Sequence, residues 1–204
     1  IRRPPRSTPK PSSAASDVYK RQVPVAYQAV SGSGSEAVSS LIEEESLGEK
    51  LDSDYEKGFY DRPIARNVIP LAGNLTENGY SDEEMKFVNE SRKILNIPQL
   101  IVEPSNARVG VKTGHGIFCS ATFEKETDVK EAIGLIDSFD GVEYWKDKLP
   151  TPLDAEGNKK VLVGRMRNGL SDNRILNFWA VSDNLLKGAA LNAVQIARYI
   201  VDND

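Results

Sequence analysis

Apolar and polar residues alternate along much of the chain, and this alternation predicts a set of β-strands. A period of two residues, or enrichment in β-branched side chains, is typical of a strand with one buried face. The stretches that show it are residues 23–27, 100–102, 107–112, 115–123, 160–166 and 175–181.

Other stretches carry apolar residues at helical spacing. Ser81 opens a capping box with Glu84, and it predicts a helix over residues 82–95 that ends before Pro98. Further helices are predicted from about Ser35, over 128–139 and over 185–201. Because runs of strands are broken by helices without regular strand–helix alternation, the pattern indicates an α+β fold with a mainly antiparallel sheet.

Two stretches lack hydrophobic periodicity. Residues 1–22 are rich in proline, serine and basic side chains, and we expect them to form no core element. A transit peptide has this composition, but the segment lacks an amphipathic helix, so translated vector or adapter sequence is the favoured interpretation. The functional chain is then expected to start near Val23. Residues 48–77, interrupted by Pro63 and Pro70, are predicted to be a long exposed loop with short pieces of structure.

Composition narrows the function classes. The 204 residues are enough for one good domain, and the net charge of −4 with a pI near 5.3 argues against a nucleic-acid binder. No apolar run approaches the ~20 residues that span a bilayer, so we expect a cytoplasmic protein. The single cysteine, Cys119, excludes an internal disulfide and a cysteine-rich metal site, and no metal site is predicted. It alternates with Ile117 and Ala121, which predicts a buried, inert thiol.

Candidate chemistry centres on the only histidine, His115. It closes the run RVGVKTGH, which begins at Arg108 and follows a predicted strand into a turn, where functional residues concentrate. Arginine can hold a carboxylate in a bidentate fork, and histidine exchanges protons near neutral pH. The pair therefore suits a small acidic substrate, whereas a lone histidine is more often structural.

Two other features have both a functional and a structural interpretation. The run from Ser31 to Gly34 precedes a predicted helix, where free N–H groups can meet an anion or a cofactor, or where the serine only caps a turn. Glu83 and Lys86 lie three residues apart on one helical face. They form either an intrahelical ion pair or the charged edge of a site.

Six segments together resemble the aspartate-semialdehyde dehydrogenases: YQAVSGSG, GYSDEEMK, RVGVKTGH, LPTPLDAEG, VGRMR and SDNLLKGAALNAVQIA. The resemblance covers nearly all of residues 23–201, and it is to the C-terminal part of these enzymes. It implies the C-terminal domain of the glyceraldehyde-3-phosphate-dehydrogenase-like fold, with helices on one face of a mixed sheet. Residues 23–184 then form the dimerisation domain, and 185–204 form a helix that packs on a nucleotide-binding domain outside this sequence.

The resemblance also implies an activity. In this family a cysteine attacks β-aspartyl phosphate, and NADPH reduces the resulting thioester to aspartate semialdehyde, a precursor of lysine, threonine, methionine and diaminopimelate. The family's nucleophilic cysteine precedes YQAVSG and is not in this sequence. The chain alone is therefore expected to be inactive, and a homodimer is expected.

The site residues follow from the same resemblance. His115 is similar to the acid–base histidine, for which a pKa near the operating pH is wanted, and Gln28 to the glutamine that orients the acyl group. Roles in substrate binding fall to Arg108 for the carboxylate, Glu83 for the amino group and Lys86 for the phosphate. Contacts to NADP fall to Ser31, Gly32 and Asn184.

The sequence departs from the family pattern at two places. Gly110 stands where Arg-Val-Pro is usual, which frees a backbone φ and predicts a softer hold on the carboxylate. Ser105-Asn106 stands where Thr-Cys is frequent.

Two alternative functions are a non-catalytic paralogue that serves as a dimerisation module, and a related acyl-phosphate reductase such as N-acetyl-glutamyl-phosphate reductase. The sequence upstream of Val23 would decide the first. The second shares the chemistry but not the arrangement of Glu83, Lys86 and Arg108.

Overall fold

A computed structural model describes residues 19–203 and places them around one sheet. The strands are β1 (Tyr19–Gln28), β2 (Val68–Ile69), β3 (Ile101–Val102), β4 (Ser105–Val109), β5 (His115–Phe123), β6 (Val142–Trp145), β7 (Val161–Asn168) and β8 (Ile175–Ser182). The α-helices are α1 (Ser35–Leu47), α2 (Asp82–Leu95), α3 (Val129–Asp137), α4 (Pro152–Ala155) and α5 (Leu191–Asn203). Short 3₁₀ turns cover Val30–Ser33 and Gly48–Lys50, and a π-helical turn, Leu186–Ala190, leads into α5.

The sheet is mixed, and its longest pairings are antiparallel. Its order is β2-β4-β1-β5-β8-β7-β6, with β3 also beside β1. The pairs β1/β5, β5/β8, β7/β8 and β2/β4 are antiparallel, whereas β1/β4, β1/β3 and β6/β7 are parallel. The predicted α+β class with a mainly antiparallel mixed sheet is confirmed.

Helix α3 packs on the sheet through the apolar stripe that the sequence predicts, and α4 packs on it through a single alanine. Ile133 and Ile136 of α3 contact a cluster built on Leu176 of β8. The one-turn α4 packs through Ala155 against Val181, whose side chain points to the opposite face of the same strand.

The first strand begins earlier than expected. β1 starts at Tyr19, although residues 19–22 were assigned to a leader without core elements. Pairing and packing outweigh the basic composition here: Tyr19 stacks on Phe123 with 5.2 Å between ring centroids, and Gln22 is buried opposite Ala121. The rest of the proposed leader, residues 1–18, lies outside the described residues.

The prediction of an exposed loop over residues 48–77 is wrong in its middle part. Ile64 and Ala65 are buried in a cluster with Val30 of the first 3₁₀ turn. The fully buried carboxylate of Glu44 in α1 accepts hydrogen bonds from the backbone N–H groups of Ile64 (2.6 Å) and Ala65 (2.8 Å). The sequence pattern could not reveal this, because the run Glu43-Glu44-Glu45 on a helix predicts exposed side chains.

Three short elements, β2, β6 and α4, were not predicted, because stretches of two to four residues are too short for a periodicity to emerge. None of the helices within residues 19–203 combines the length and the hydropathy that a membrane crossing requires.

Candidate active site

Four neighbouring strands, β4, β1, β5 and β8, begin or finish at the same end of the sheet, and three predicted site residues lie there. Gln28 ends β1 and pairs with Arg108 of β4, while His115 begins β5 and pairs with Ser182 at the end of β8. Ala26 pairs with Ile117, and each lies two residues from Gln28 and His115 respectively, so all these side chains leave the same face of the sheet. The topology therefore places Gln28, Arg108 and His115 side by side.

His115 is held as a neutral imidazole. The backbone N–H of Ala29 donates a hydrogen bond to its Nδ1 at 3.1 Å, so the neutral ring carries its proton on Nε2. Burial lowers the pKa of His115 to about 4, and the nearby positive charge of Arg108 contributes to the lowering. This pKa is well below the near-neutral value expected from the sequence. At neutral pH the imidazole presents an N–H donor.

Arg108 is a buried cation with few partners. Its side chain is only 5% exposed, and its Nη1 donates to the carbonyl oxygen of Ala29 at 2.8 Å. Its Nε is buried and has no hydrogen-bond partner within the described residues. Burial lowers the pKa of Arg108, although an arginine keeps its charge at any physiological pH. A buried guanidinium with free N–H groups is suited to receive an anionic ligand.

Gly32 is the point at which Arg108 and His115 converge. A Cβ atom at this position would lie 3.2 Å from both Arg108 Nη1 and His115 Nε2. The two functional groups therefore share one small space, and any side chain at position 32 would compete with a ligand for it.

Glu83 and Lys86 stand on the first turns of α2. Ser81 caps the helix as predicted: its Oγ accepts from Glu84 N, and Glu84 Oε2 accepts from Ser81 N. Glu83 Oε1 lies 2.5 Å from Lys86 Nζ, so the predicted ion pair forms, and it raises the pKa of Lys86. Both side chains also border a cavity, so the two interpretations of this pair are compatible.

Asn106 fixes the start of α2 relative to the sheet. Its buried side-chain amide accepts from Ala72 N (2.9 Å) and donates to Ala72 O (3.0 Å) and Ser81 Oγ (2.9 Å). Its backbone N–H donates to Glu84 Oε1. One departure from the family pattern thus joins β4, the loop around Ala72 and the helix that carries Glu83.

The other departure, Gly110, is also explained by packing. A Cβ atom at Gly110 would lie 2.6 Å from the carbonyl oxygen of Ile64, so the absence of a side chain lets the buried 64–66 backbone approach. A softer hold on a carboxylate by Arg108 stays a prediction.

Ser31 and Asn184 are hydrogen-bonded to each other at the border of the same site. Asn184 Nδ2 donates to Ser31 Oγ at 2.9 Å, and Asn184 Oδ1 accepts from the N–H of Gly114 at 2.9 Å. Gly114 has φ 98°, a left-handed conformation that favours glycine and aims the turn before His115. The pair ties the segment after β8 to the turns that precede α1 and β5.

Two adjoining cavities collect the predicted site residues. A cavity of about 820 Å³ is bordered by seven of the eight: Gln28, Ser31, Gly32, Glu83, Lys86, His115 and Asn184. Its other wall is apolar and includes Phe87, Ile94 and Ile117. The eighth residue, Arg108, borders a cavity of about 450 Å³ that shares Gly32 and Glu83 with the first. Residues up to 156 positions apart in sequence thus surround one polar region.

The smaller cavity also contains residues that the sequence did not suggest. Tyr60 and its neighbour Phe59 border it from the segment that was predicted to be an exposed loop. Two adjacent aromatic residues a few positions before Pro63 are a local signal of burial, which Tyr60 follows as a partly buried side chain and Phe59, 44% exposed, does not.

Cys119 lies away from this region of polar groups. The thiol is buried, and burial raises its pKa to about 11, as the predicted inert role requires. Among residues 19–203, no three histidine, cysteine or acidic side chains converge in a way that could hold a metal ion.

Known proteins are similar to this chain in sequence. The family described as "Semialdehyde dehydrogenase, dimerisation domain" matches residues 13–187. The chain is similar to the aspartate-semialdehyde dehydrogenase of Streptomyces akiyoshiensis, with 43% identity over 187 residues that cover 85% of this chain and 54% of the relative. The corresponding protein of Corynebacterium glutamicum is 41% identical, over 94% of this chain and 59% of the relative.

Solved structures give the same result. Aspartate semialdehyde dehydrogenase II of Vibrio cholerae, complexed with ASA, superposes with a TM-score of 0.85 at 36% identity, over 90% of this chain and 55% of that one. The enzyme of Candida albicans, solved with NADP, shares the fold with a TM-score of 0.67 at 19% identity, over 95% of this chain and 53% of that one. The chain therefore spans about half the length of the relatives that it matches.

Proposed function

The chain belongs to the semialdehyde dehydrogenase family, and we propose that it supplies the substrate-binding and dimerisation half of an aspartate-semialdehyde dehydrogenase. The proposed reaction is the NADPH-dependent reduction of β-aspartyl phosphate to aspartate semialdehyde through a cysteine thioester. The product would serve the synthesis of lysine, threonine, methionine and diaminopimelate.

The proposal is carried by the convergence of Gln28, Glu83, Lys86 and His115 on one cavity, with Arg108 beside it. These residues offer two cations, one carboxylate and one neutral N–H donor. This set is complementary to a substrate that carries a carboxylate, an ammonium group and a phosphorylated acyl group. We propose that Arg108 binds the α-carboxylate, Glu83 the ammonium group and Lys86 the phosphate.

His115 is proposed to handle the proton of the reacting group. The Nε2–H of the neutral ring can donate to a substrate oxygen, and the Ala29 N–H holds the ring in that tautomer. An anion bound next to Nε2 would raise the pKa of the imidazole and favour proton uptake. Gln28, at the end of β1, is proposed to orient the acyl group.

Ser31, Gly32 and Asn184 fit the reactive end of NADP. They border the larger cavity, whose volume lies in the range of small-molecule sites and whose wall includes apolar side chains. NADPH, when bound, supplies the hydride. The residues of this chain would hold its edge through the Ser31 and Asn184 side chains and make room for it at Gly32.

The test is an assay of the complete protein, in which this chain is joined to the half that its relatives carry. With aspartate semialdehyde, phosphate and NADP we expect NADPH formation, and N-acetyl-glutamate semialdehyde should not substitute. Arg108→Leu should mainly raise KM for the semialdehyde, by roughly 30- to 1000-fold for a lost charged contact. His115→Ala should chiefly lower kcat, by about 10²- to 10⁴-fold.

Cys119→Ala serves as the control, because the buried thiol is not part of the proposed site; its activity should match wild type. The 204-residue chain alone should show no turnover, because Cys119 cannot replace a cysteine placed beside the substrate. A complete protein without semialdehyde-dependent NADP reduction, or an unchanged kcat in His115→Ala, would contradict the assignment.

We also propose a homodimer, in accordance with the dimerisation domain to which the chain belongs. Sedimentation of the complete protein should show a mass of two copies or a multiple of it.

A further inference from the structure

Tyr60 is the side chain that faces the guanidinium of Arg108. The Cζ atom of Arg108 lies over the Tyr60 ring at 6.0 Å from its centroid, and both residues border the smaller cavity. The segment that carries Tyr60 connects α1 to β2 and is distant in sequence from every residue of the predicted site.

Arg108 has no carboxylate partner. Within residues 19–203 no ion pair includes it, and its hydrogen bond to Ala29 O uses only Nη1. A carboxylate next to the guanidinium would occupy the N–H groups that a ligand needs. An aromatic ring instead attracts the cation through its face and leaves those N–H groups free.

Tyr60 itself is fixed in place. Its hydroxyl donates to Ser33 Oγ at 2.9 Å, and its ring packs against the buried cluster around Val30 and Ile64. On one side the N–H of Phe59 donates to Ser40 Oγ at 2.8 Å; on the other, Glu44 holds the backbone of Ile64. Both anchors stand on α1 and hold the backbone on either side of Tyr60, while the hydrogen bond to Ser33 holds the ring itself.

We propose that Tyr60 is a positioning residue, which holds the Arg108 guanidinium in the orientation that receives the substrate carboxylate while leaving its charge uncompensated. This inference rests on the proposed function only for the identity of the ligand. The ring face provides the interaction, and the hydroxyl only anchors the ring.

Steady-state kinetics of the complete protein test the effect on the substrate. Tyr60→Leu should raise KM for aspartate semialdehyde about 3- to 30-fold, the range of a lost cation–π contact, with kcat and the KM values for NADP and phosphate little changed. Tyr60→Phe keeps the ring and should remain within about threefold of wild type. Tyr55→Leu, the same change at a partly buried tyrosine of the same connection that borders neither cavity, should have no effect.

An NMR measurement on the ligand-free 204-residue chain tests the contact independently of any activity. The Nε–Hε signal of Arg108, assigned by its loss in Arg108→Lys, should shift when the ring is removed in Tyr60→Leu and stay near its wild-type position in Tyr60→Phe. If the complete protein proves inactive, the proposed function fails, and this measurement still decides the role of Tyr60. The inference is overturned if the signal is unmoved in Tyr60→Leu, or if Tyr60→Phe raises KM as much as Tyr60→Leu does.

Discussion

The two side chains nearest Gly32 differ in charge: one is a cation and the other is neutral. Arg108 keeps its charge although it is buried and forms no ion pair within residues 19–203, whereas His115 is kept neutral by burial and by that same charge. The buried positive charge of Arg108 attracts the anionic group of an acidic ligand. Ligand binding would then bring negative charge to His115 and change its protonation.

The depressed pKa of His115 has a consequence for stability. The unfolded chain takes up a proton on this histidine near pH 6.5, whereas the native state resists it down to about pH 4. Native stability is therefore fully present above pH 6.5 and is lost as the pH falls from 6.5 to 4, by up to about 3 kcal/mol from this group.

His115→Asn, which is neutral at every pH, should not show this loss. In urea unfolding of the 204-residue chain, the stability difference between wild type and variant should shift by about 2 kcal/mol in favour of the variant between pH 7.5 and pH 5.0. Carboxylates titrate alike in both proteins and cancel in the comparison. A difference that does not change with pH would mean that His115 is solvated and titrates normally.

At the scale of elements, the sequence predicted best where periodicity and capping agreed. The bounds of β5, and those of α2 with its capping box, match their predictions, because alternation and the Ser81–Glu84 pair are local signals. The 48–77 connection was mispredicted because its order comes from contacts with α1 that are distant in sequence, above all those of Glu44.

The candidate site could also be predicted only in part. Resemblance and local chemistry indicated the eight predicted residues, and the sheet register explains why three of them lie side by side. The contact between Tyr60 and Arg108 could not be foreseen, because no pairing pattern links a loop residue to a strand residue 48 positions later.

Asn106, which links β4 to the start of α2, provides a prediction at this scale. Asn106→Leu keeps the side-chain volume but leaves Ala72 N and O, both at a buried residue, without their partner. We expect a loss of about 2–5 kcal/mol in the free energy of unfolding, measured by urea titration, because each buried unpaired group costs about 1–3 kcal/mol.

In the complete protein the same change should raise KM for the semialdehyde, because α2 carries Glu83 and Lys86. Asn192→Ala, at an exposed asparagine of α5, should stay within about 0.5 kcal/mol of wild type. A stable Asn106→Leu variant would show that the backbone groups of Ala72 find other partners and that the Asn106 amide does not fix α2 relative to β4.

For the whole molecule, the distribution of apolar surface is uneven. Helices α1 to α3 contribute side chains to the apolar clusters of the described residues, whereas no residue of α5 belongs to any of them. Val194, Ile196 and Ile200 of α5 are 49%, 53% and 53% exposed. An apolar helix without packing partners costs free energy in water, and it marks a surface that another protein segment would cover.

The last prediction concerns this helix in the 204-residue chain. Because isolated helices of this length are marginal in water and α5 gains little from tertiary packing, its amides should exchange with solvent far faster than those of β5. The exposed apolar face should also promote association beyond the proposed dimer, which sedimentation would detect as a mass that rises with concentration above that of two copies. Ile196→Lys together with Ile200→Lys should suppress that association without changing the exchange of β5.

We propose that the segment that covers α5 is the half that the relatives carry, so the α5 amides of the complete protein should be protected. Protection of α5 equal to that of β5 in this chain, with no association beyond the dimer, would mean that the helix is already packed, and the proposed covering segment would then be unnecessary.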